Sequence, residues 1–184
     1  ELAPTRLHDP EFQESFLEVA RSEIGRLEGL VSQFMILARP AGSARQPVDL
    51  TSISRNVLAA VSATAISRNV TLSSEVPAEL PEPLGYSDRL HQALMNLLLN
   101  AIQATPEGGQ TALRIAPTAP DAREHNVVIT IWNSGSYIPP GDIERVFEPF
   151  YRPSGRSEHA SGWGLGLSLV RQIAVHHGGS VVCE

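Results

Sequence analysis

An apolar seam that runs through residues 9–39 constrains the fold of this chain more than any other feature. Apolar side chains recur along it at alternating intervals of three and four residues: Leu17, Ala20, Ile24, Leu27, Val31, Phe34 and Ala38. This spacing is typical of a helix in a coiled coil or a helical bundle. A helix of about 30 residues is about 45 Å long and cannot bury such a seam alone. The sequence therefore predicts a long bundle-forming helix that needs a partner helix, a second copy of the chain, or both.

The pattern changes after Pro40, Gly42 and Pro47, which end the helix and form a short linker. Helical periodicity returns at residues 49–68, 87–104 and 165–177, with Asp49 or Thr51 capping the first and Ser87 the second. Strands are predicted at 70–76, 111–116 and 127–132, a short helix at 142–147, and the beginning of a further strand at 180–183. We therefore predict an α+β fold with two parts, residues 1–46 and residues 47–184.

Composition excludes several kinds of phosphate chemistry. All 14 basic residues are arginine, and lysine is absent. P-loop nucleoside triphosphatases, serine/threonine-type kinases and pyridoxal enzymes with a Schiff base all require a lysine. A net charge of −6 without an arginine cluster argues against nucleic-acid binding, and Cys183 alone provides neither a disulfide nor a cysteine metal site. No apolar run approaches the length that spans a bilayer, so we expect a cytoplasmic fragment without membrane contact.

Three amide side chains share one face of the helix at 87–104. Asn96, Asn100 and Gln103 are separated by four and three residues, which places them on one stripe of an otherwise apolar helix. Asparagine is a poor helix former, so this pattern favours a polar site at the border of the core. Amide oxygens suit a hard cation such as Mg²⁺. The alternative is an exposed polar stripe that binds no ligand.

A second candidate site follows the strand at 127–132. Asn133 can form hydrogen bonds with the edge of a base, and Gly135 allows the backbone to pass close to a ring. The alternative is an ordinary turn at the end of a strand.

A glycine-rich loop precedes the last helix. Gly162, Gly164 and Gly166 allow the backbone to approach a ligand, and the free N–H groups at the start of a helix bind anions. The spacing is not a dinucleotide fingerprint, because Leu167 stands where that motif needs glycine. The alternative is a hinge for a mobile lid.

The order of these segments is more specific than any one of them. Four motifs follow one another along the chain: an Asn-x-x-x-Asn-Ala helix, a strand followed by Asn-x-Gly, the segment Phe147-Glu-Pro-Phe150-Tyr-Arg152, and the glycine loop. This order resembles the N, G1, F and G2 boxes of the GHKL or Bergerat-fold ATPases, and most of all the catalytic domain of sensor histidine kinases. Gly85-Tyr-Ser-Asp88 before the N box and His177-Gly-Gly after the last helix support the match.

The resemblance covers residues 48–184, and it extends to the long helix. Glu23-Ile-Gly-Arg26 and Ala38-Arg39-Pro40 are similar to the second helix of the dimerisation and phosphotransfer domain in nitrogen-regulation-type kinases. The resemblance implies a two-layer α/β sandwich that binds ATP and Mg²⁺ beneath a lid, with Asn100 as the metal ligand. The ATP-binding residues that it implies are Asn96, Asn100, Gln103, Asn133, Gly135, Tyr137, Ile138, Phe150, Arg152, Gly162, Gly164, Leu165, Gly166 and Leu167.

The implied activity is that of an ATP-dependent protein-histidine kinase. Such an enzyme transfers the γ-phosphoryl group of ATP to a histidine and then to an aspartate of a response regulator receiver domain. It works as a homodimer through its helical hairpin. His8-Asp9 begins like the acceptor motif, but the expected proline does not follow, so no catalytic residue is assigned in this chain. We expect the acceptor helix to belong to a longer parent protein, either soluble or anchored in a membrane.

Three positions depart from the family pattern. Asn133 replaces the aspartate that accepts a hydrogen bond from the adenine amino group, Tyr137 replaces the second G1 glycine, and Gln103 replaces a frequent lysine. These departures motivate an alternative, a degenerate nucleotide-binding domain that acts as a dimeric signalling scaffold without kinase activity. Anti-sigma-factor serine kinases share the implied fold, but the long seam helix argues against that assignment.

Overall fold

The computed structural model describes residues 12–17, 19–20, 23–24, 27, 31, 44–118, 126–135, 137–152 and 164–183. From residue 44 onward, three helices alternate with short strands. The elements in chain order are β1 (Gln46–Pro47), α1 (Leu50–Ser67), β2 (Thr71–Glu75), β3 (Leu84–Gly85), α2 (Ser87–Ala104), β4 (Gln110–Pro117), β5 (Val127–Asn133), two 3₁₀ turns (Pro140–Asp142 and Arg145–Phe147) and α3 (Gly166–His176).

A three-stranded mixed sheet forms one layer of the fold. The strand order is β2-β4-β5, with β2 parallel to β4 and β5 antiparallel to it. Residues of β4 alternate between the two faces, so that Leu113 and Ile115 are buried while Arg114 is exposed. The buried face packs against α1 and α2, and the core includes Val57, Val61, Leu94, Leu98, Ile102, Leu113 and Ile115. Helices thus cover one face of the sheet and form the second layer.

The ends of α1 and α2 are fixed in different ways. Asp49 caps α1, since its carboxylate accepts a hydrogen bond of 2.8 Å from the backbone N–H of Ser52. This contact decides between the two predicted caps. The predicted cap of α2 is wrong, because Ser87 is the first helical residue and Tyr86 holds the cap position without a side-chain hydrogen bond. The N–H of Tyr86 instead donates to His177, so a contact distant in sequence sets where this helix begins.

Two further predictions of secondary structure are wrong. The short helix predicted at 142–147 is a pair of 3₁₀ turns, and Glu148 is extended with ψ of 140°. The residue before a proline avoids helical angles, and Pro149 follows Glu148. Residues 180–183 are not a strand, because no described strand pairs with them. The two-residue pair of β1 with β3 was not predicted, since it is too short to show a period.

The N-terminal segment is helical at every position that the structure describes, namely 12–17, 19–20, 23–24, 27 and 31. Six of its described apolar side chains are more than half exposed, whereas Phe12 and Ala20 are half-buried. The six are Phe16, Leu17, Val19, Ile24, Leu27 and Val31. Most of the described part of the seam is therefore exposed, while Phe34 and Ala38 lie outside the described residues. Among the residues described, we find no helix whose length and hydropathy would allow it to cross a membrane.

We expect the substitution Asp49→Ala to lower the free energy of unfolding by about 1 kcal/mol, because it removes the acceptor for an N–H group at the start of α1. Urea unfolding followed by circular dichroism measures the change. Ser52→Ala is the matched control, since the capping N–H belongs to the backbone and survives that substitution. Equal stability of Asp49→Ala and the unaltered chain would contradict the capping role.

Candidate functional site

The centre of the candidate site is the contact between α2 and the first residue of α3. The two helices pack through Ala93, Leu169, Val170 and Ile173, which form a small buried cluster separate from the main core. This packing brings Gly166 against the amide stripe of α2. A Cβ atom at Gly166 would lie 3.1 Å from Nδ2 of Asn100 and 3.8 Å from Cγ of Asn96. The structure thus brings three of the predicted residues together.

This junction offers two kinds of polar group to a ligand. The first N–H groups of α3 have no partner within the helix and carry a partial positive charge. The half-buried amides of Asn96 and Asn100 add neutral oxygen acceptors and N–H donors. The absence of a side chain at Gly166 allows the start of α3 to lie this close to the two amides. The arrangement can therefore receive an anion at the helix start and a hard cation at the amide oxygens.

The backbone closes on itself just before α3. The N–H of Phe150 donates to the carbonyl oxygen of Gly164 over 3.0 Å. Gly164 has a φ of +69°, and a Cβ atom there would lie 2.6 Å from the carbonyl oxygen of Tyr151, so only glycine fits. Phe150 also has a positive φ of 65°, and its side chain is 54% exposed. Leu165, next in the chain, is buried.

Asn133, which belongs to the second candidate site of the sequence, lies on the inner face of the sheet. It is the last residue of β5 and pairs in register with Thr111 of β4. The Thr111 hydroxyl is buried and lies 2.9 Å from that of Thr105, which donates to the carbonyl of Ala101 over 2.7 Å. Since the Thr105 proton is used there, Thr111 donates to Thr105. Nδ2 of Asn133 makes only a long contact of 3.5 Å with the Ser134 carbonyl.

Two hydrogen bonds between Ser134 and Gln110 fix the turn after Asn133. The N–H of Ser134 donates to the Gln110 carbonyl over 2.9 Å, and the Ser134 hydroxyl accepts from the Gln110 N–H over 2.9 Å. Gly135 has a φ of +75°, and a Cβ atom there would lie 2.8 Å from Cγ of Pro106. The positive φ and the proline that follows α2 therefore both require glycine at this turn, and the predicted approach of its backbone to a ring stays a prediction.

The remaining predicted residues differ in their exposure. Tyr137 is 77% exposed and Ile138 is half-buried, so the tyrosine lies at the surface. Gln103 is exposed, and its backbone carbonyl accepts a hydrogen bond of 3.2 Å from the side chain of Arg68. Arg152 is exposed as well. The half-buried Leu167 continues α3. Gly162 and His8 lie outside the described residues.

A cluster that was not predicted from the sequence joins the start of α2 to the end of α3. The N–H of Tyr86 donates to Nε2 of His177 over 3.0 Å, and Nδ1 of His177 donates to the Ile173 carbonyl over 2.7 Å. A Cβ atom at Gly85 would lie 2.8 Å from Cδ2 of His177. Residues 85–88 and residues 177–179, which both supported the family resemblance, therefore contact each other. The contact could not be predicted from residue spacing, because the two segments are about 90 residues apart.

These two hydrogen bonds require a neutral His177, with the proton on Nδ1. The pKa of His177 is lowered, mainly because the ring is partly buried. The hydrogen bond to Ile173 raises the pKa, but the positive charges of Arg45 and Arg89 and the ring of His176 lower it further. The neutral ring therefore persists to a lower pH in the folded chain than in the unfolded chain.

We expect part of the acid sensitivity of this fold to come from His177. Between the lowered pKa and the usual value of 6.5, the unfolded chain binds more protons than the folded chain, so stability falls as the pH falls through that window. His177→Gln keeps an acceptor for Tyr86 but does not titrate, and should lose less stability between pH 7.5 and pH 5.5. Urea unfolding at both pH values measures this difference. His91→Gln, which leaves both hydrogen bonds in place, is the control. An equal loss in both variants would contradict the assignment.

Comparisons with known proteins identify the family of this chain. The family model described as histidine kinase-, DNA gyrase B-, and HSP90-like ATPase matches residues 85–184. Sensor histidine kinase ZraS of Escherichia coli (strain K12) is 35% identical over 164 residues, which are 89% of this chain and 33% of that protein. The chain spans about a third of the length of the curated relatives it matches.

Solved structures show the same fold. Histidine kinase ThkA, in a crystal structure with response regulator protein TrrA, matches with a TM-score of 0.70 and 26% identity, over 96% of this chain and 48% of that one. Full-length ShkA in complex with AMPPNP matches with a TM-score of 0.68 and 28% identity, over 92% of this chain and 35% of that one. These matches confirm the predicted two-layer α/β sandwich. The chain belongs to the histidine kinase-, DNA gyrase B- and HSP90-like ATPase family.

Proposed function

We propose that this chain is the ATP-binding catalytic region of a two-component sensor histidine kinase. It binds Mg·ATP and donates the γ-phosphoryl group to a histidine, for relay to an aspartate of a response regulator. The observation that carries the proposal is the contact of Gly166 with Asn96 and Asn100. A helix start without a side chain, set beside two amides of a neighbouring helix, provides donors for phosphates and acceptors for a cation in one place.

The phosphate end of the proposed site uses few charges. The N–H groups at Leu165, Gly166 and Leu167 offer hydrogen bonds to phosphate oxygens, and the amide of Asn96 lies beside them. The oxygen of Asn100 is a suitable ligand for Mg²⁺, which prefers oxygen and keeps several waters. When bound, Mg²⁺ neutralises charge on the phosphate oxygens. We also assign the backbone N–H groups of Gly162 and Gly164 to the phosphates.

We propose that an arginine supplies the positively charged side chain at this end. Gln103 brings an amide where a lysine is frequent, and the chain contains no lysine. Arg152 follows the Phe150–Gly164 closure and is exposed, so we assign it to the triphosphate. Phosphoryl transfer depends mainly on positioning and charge neutralisation, and an arginine can provide both.

The base end of the proposed site lies at the end of β5. The oxygen of Asn133 accepts from the amino group of adenine, and the buried Thr111 hydroxyl beside it has unused lone pairs. Gly135 lets the backbone lie flat against the ring, with Tyr137, Ile138 and Phe150 at the border. An amide is a weaker acceptor than a carboxylate, so we expect modest affinity for ATP.

The parent protein is proposed to act as a cytoplasmic homodimer that transfers phosphate to a receiver domain. The exposed seam of the N-terminal helix supports self-association through a helical hairpin. The structural neighbour ThkA, solved in complex with a response regulator protein, supports the receiver partner. Residues 1–46 and residues 47–184 are proposed as the dimerisation part and the catalytic part.

The function is tested by phosphate transfer in trans. The chain is incubated with Mg²⁺, γ-labelled ATP and a separately made helical hairpin that carries an acceptor histidine. We expect label on the hairpin, and a loss on the order of 100-fold with Asn100→Ala, because the ligand that holds Mg²⁺ is removed. Asn56→Ala, at an exposed position of α1, is the control. Failure to bind ATP at millimolar concentration would refute the kinase function and favour the non-catalytic scaffold.

A second prediction concerns selectivity for the base. Asn133→Asp replaces a neutral acceptor by a charged one, so the affinity for ATP should rise about fivefold, which corresponds to about 1 kcal/mol. Isothermal titration calorimetry with ATP and with inosine triphosphate measures the effect. Inosine triphosphate lacks the amino group and should gain nothing. An equal gain for both nucleotides would show that Asn133 does not contact that group.

A further inference from the structure

Three distant parts of the chain meet at the end of α3 that lies away from Gly166. They are the linker residue Arg45, the start of α2 and the last turn of α3. Nη2 of Arg45 donates to the carbonyl oxygen of His176 over 2.6 Å. On the α2 side, the guanidinium of Arg89 lies 3.3 Å from Nδ1 of His176. The backbone of Tyr86 is joined to His177 by the hydrogen bond described above.

Arg45 completes the C-terminal cap of α3. The last carbonyl groups of a helix have no partner within it. Here the local turn supplies donors for three of them, since N–H groups of residues 177–179 donate to Ile173, Ala174 and Val175. The carbonyl of His176 is reached from the linker by Arg45 instead. A guanidinium at this position also lies favourably at the negative end of the helix dipole.

The linker is held next to this cap by the sheet pair that follows it. Gln46–Pro47 pairs with Leu84–Gly85, and the N–H of Val48 donates to the Pro83 carbonyl over 3.1 Å. Gly85 in turn packs on the ring of His177. Arg45 therefore reaches α3 from a segment that is anchored beside the start of α2.

The opposite end of α3 carries the proposed phosphate site. The helix has 11 residues and is therefore about 16 Å long. It packs on Ala93 of α2 through Leu169, Val170 and Ile173, and its first residue lies close to Asn100. Arg45 thus contacts one end of α3, and the proposed nucleotide site lies at the other end of the same rigid helix.

We infer that Arg45 is a positioning residue, which couples the seating of the linker on the end of α3 to nucleotide binding at its beginning. This inference rests on the proposed function. Coupling between two sites is reciprocal: if the seated linker favours nucleotide binding, bound nucleotide must hold the linker in place by the same factor. A purely structural cap would stabilise the helix without this mutual effect.

The test combines hydrogen exchange with nucleotide titration on the 184-residue chain. Exchange at the amides of Gln46 and Val48 is measured by mass spectrometry with and without Mg·ATP, and affinity is measured by calorimetry. Bound ATP should slow exchange in the unaltered chain. In Arg45→Gln this slowing should vanish and the affinity should fall about fivefold, the low end of typical couplings, because the contact is exposed. Arg45→Lys, which keeps the charge, should recover part of both effects.

Arg114→Gln is the matched control. Arg114 forms an exposed ion pair of 3.5 Å with Glu75 on the outer face of the sheet, away from the linker. This variant should behave like the unaltered chain. The coupling is refuted if ATP slows linker exchange equally in Arg45→Gln, or if the unaltered chain binds ATP without any change at the linker. Absence of ATP binding in the titration is a different result, which overturns the proposed function and the coupling with it.

Discussion

The packing of α3 against α2 is the contact on which the candidate site depends. Ala93 is small enough to let the helices approach, and Leu169, Val170 and Ile173 fill the space between them. Burial of three aliphatic side chains contributes on the order of several kcal/mol. This apolar contact supports the polar one, because Gly166 is carried to Asn100 by the same helix. Larger side chains in that cluster would move the phosphate end without altering any residue that is proposed to bind a ligand.

The helix α2 serves both ends of the proposed site. One side of it is buried against the sheet through Leu94, Leu98 and Ile102, which are almost fully inaccessible. Its middle presents the amides, and the proline just beyond its end fixes the turn that follows β5. The distance between the phosphate end and the base end is therefore set by a single rigid element. A site built on a packed helix keeps its dimensions better than a site built on loops alone.

Secondary structure could be predicted where apolar residues repeat over a long segment. Site residues could be predicted together where they lie on one helix. The stripe of Asn96 and Asn100 follows directly from helical spacing. The proximity of Gly166 to that stripe does not, because it depends on packing between helices. The start of α2 was misplaced for the same reason, since Tyr86 is held by a residue about 90 positions away. The roles of individual residues toward ATP stay predictions.

The hydrogen bond between Phe150 and Gly164 has a consequence for how this fold can vary. It brings together the two ends of the intervening segment, which therefore begins and finishes at a single point of the framework. For such a closed excursion, each doubling of length costs only about 0.6 kcal/mol in chain entropy. The length of that segment can therefore change at little cost in free energy, while the hydrogen bond that joins its two ends keeps the start of α3 next to Phe150.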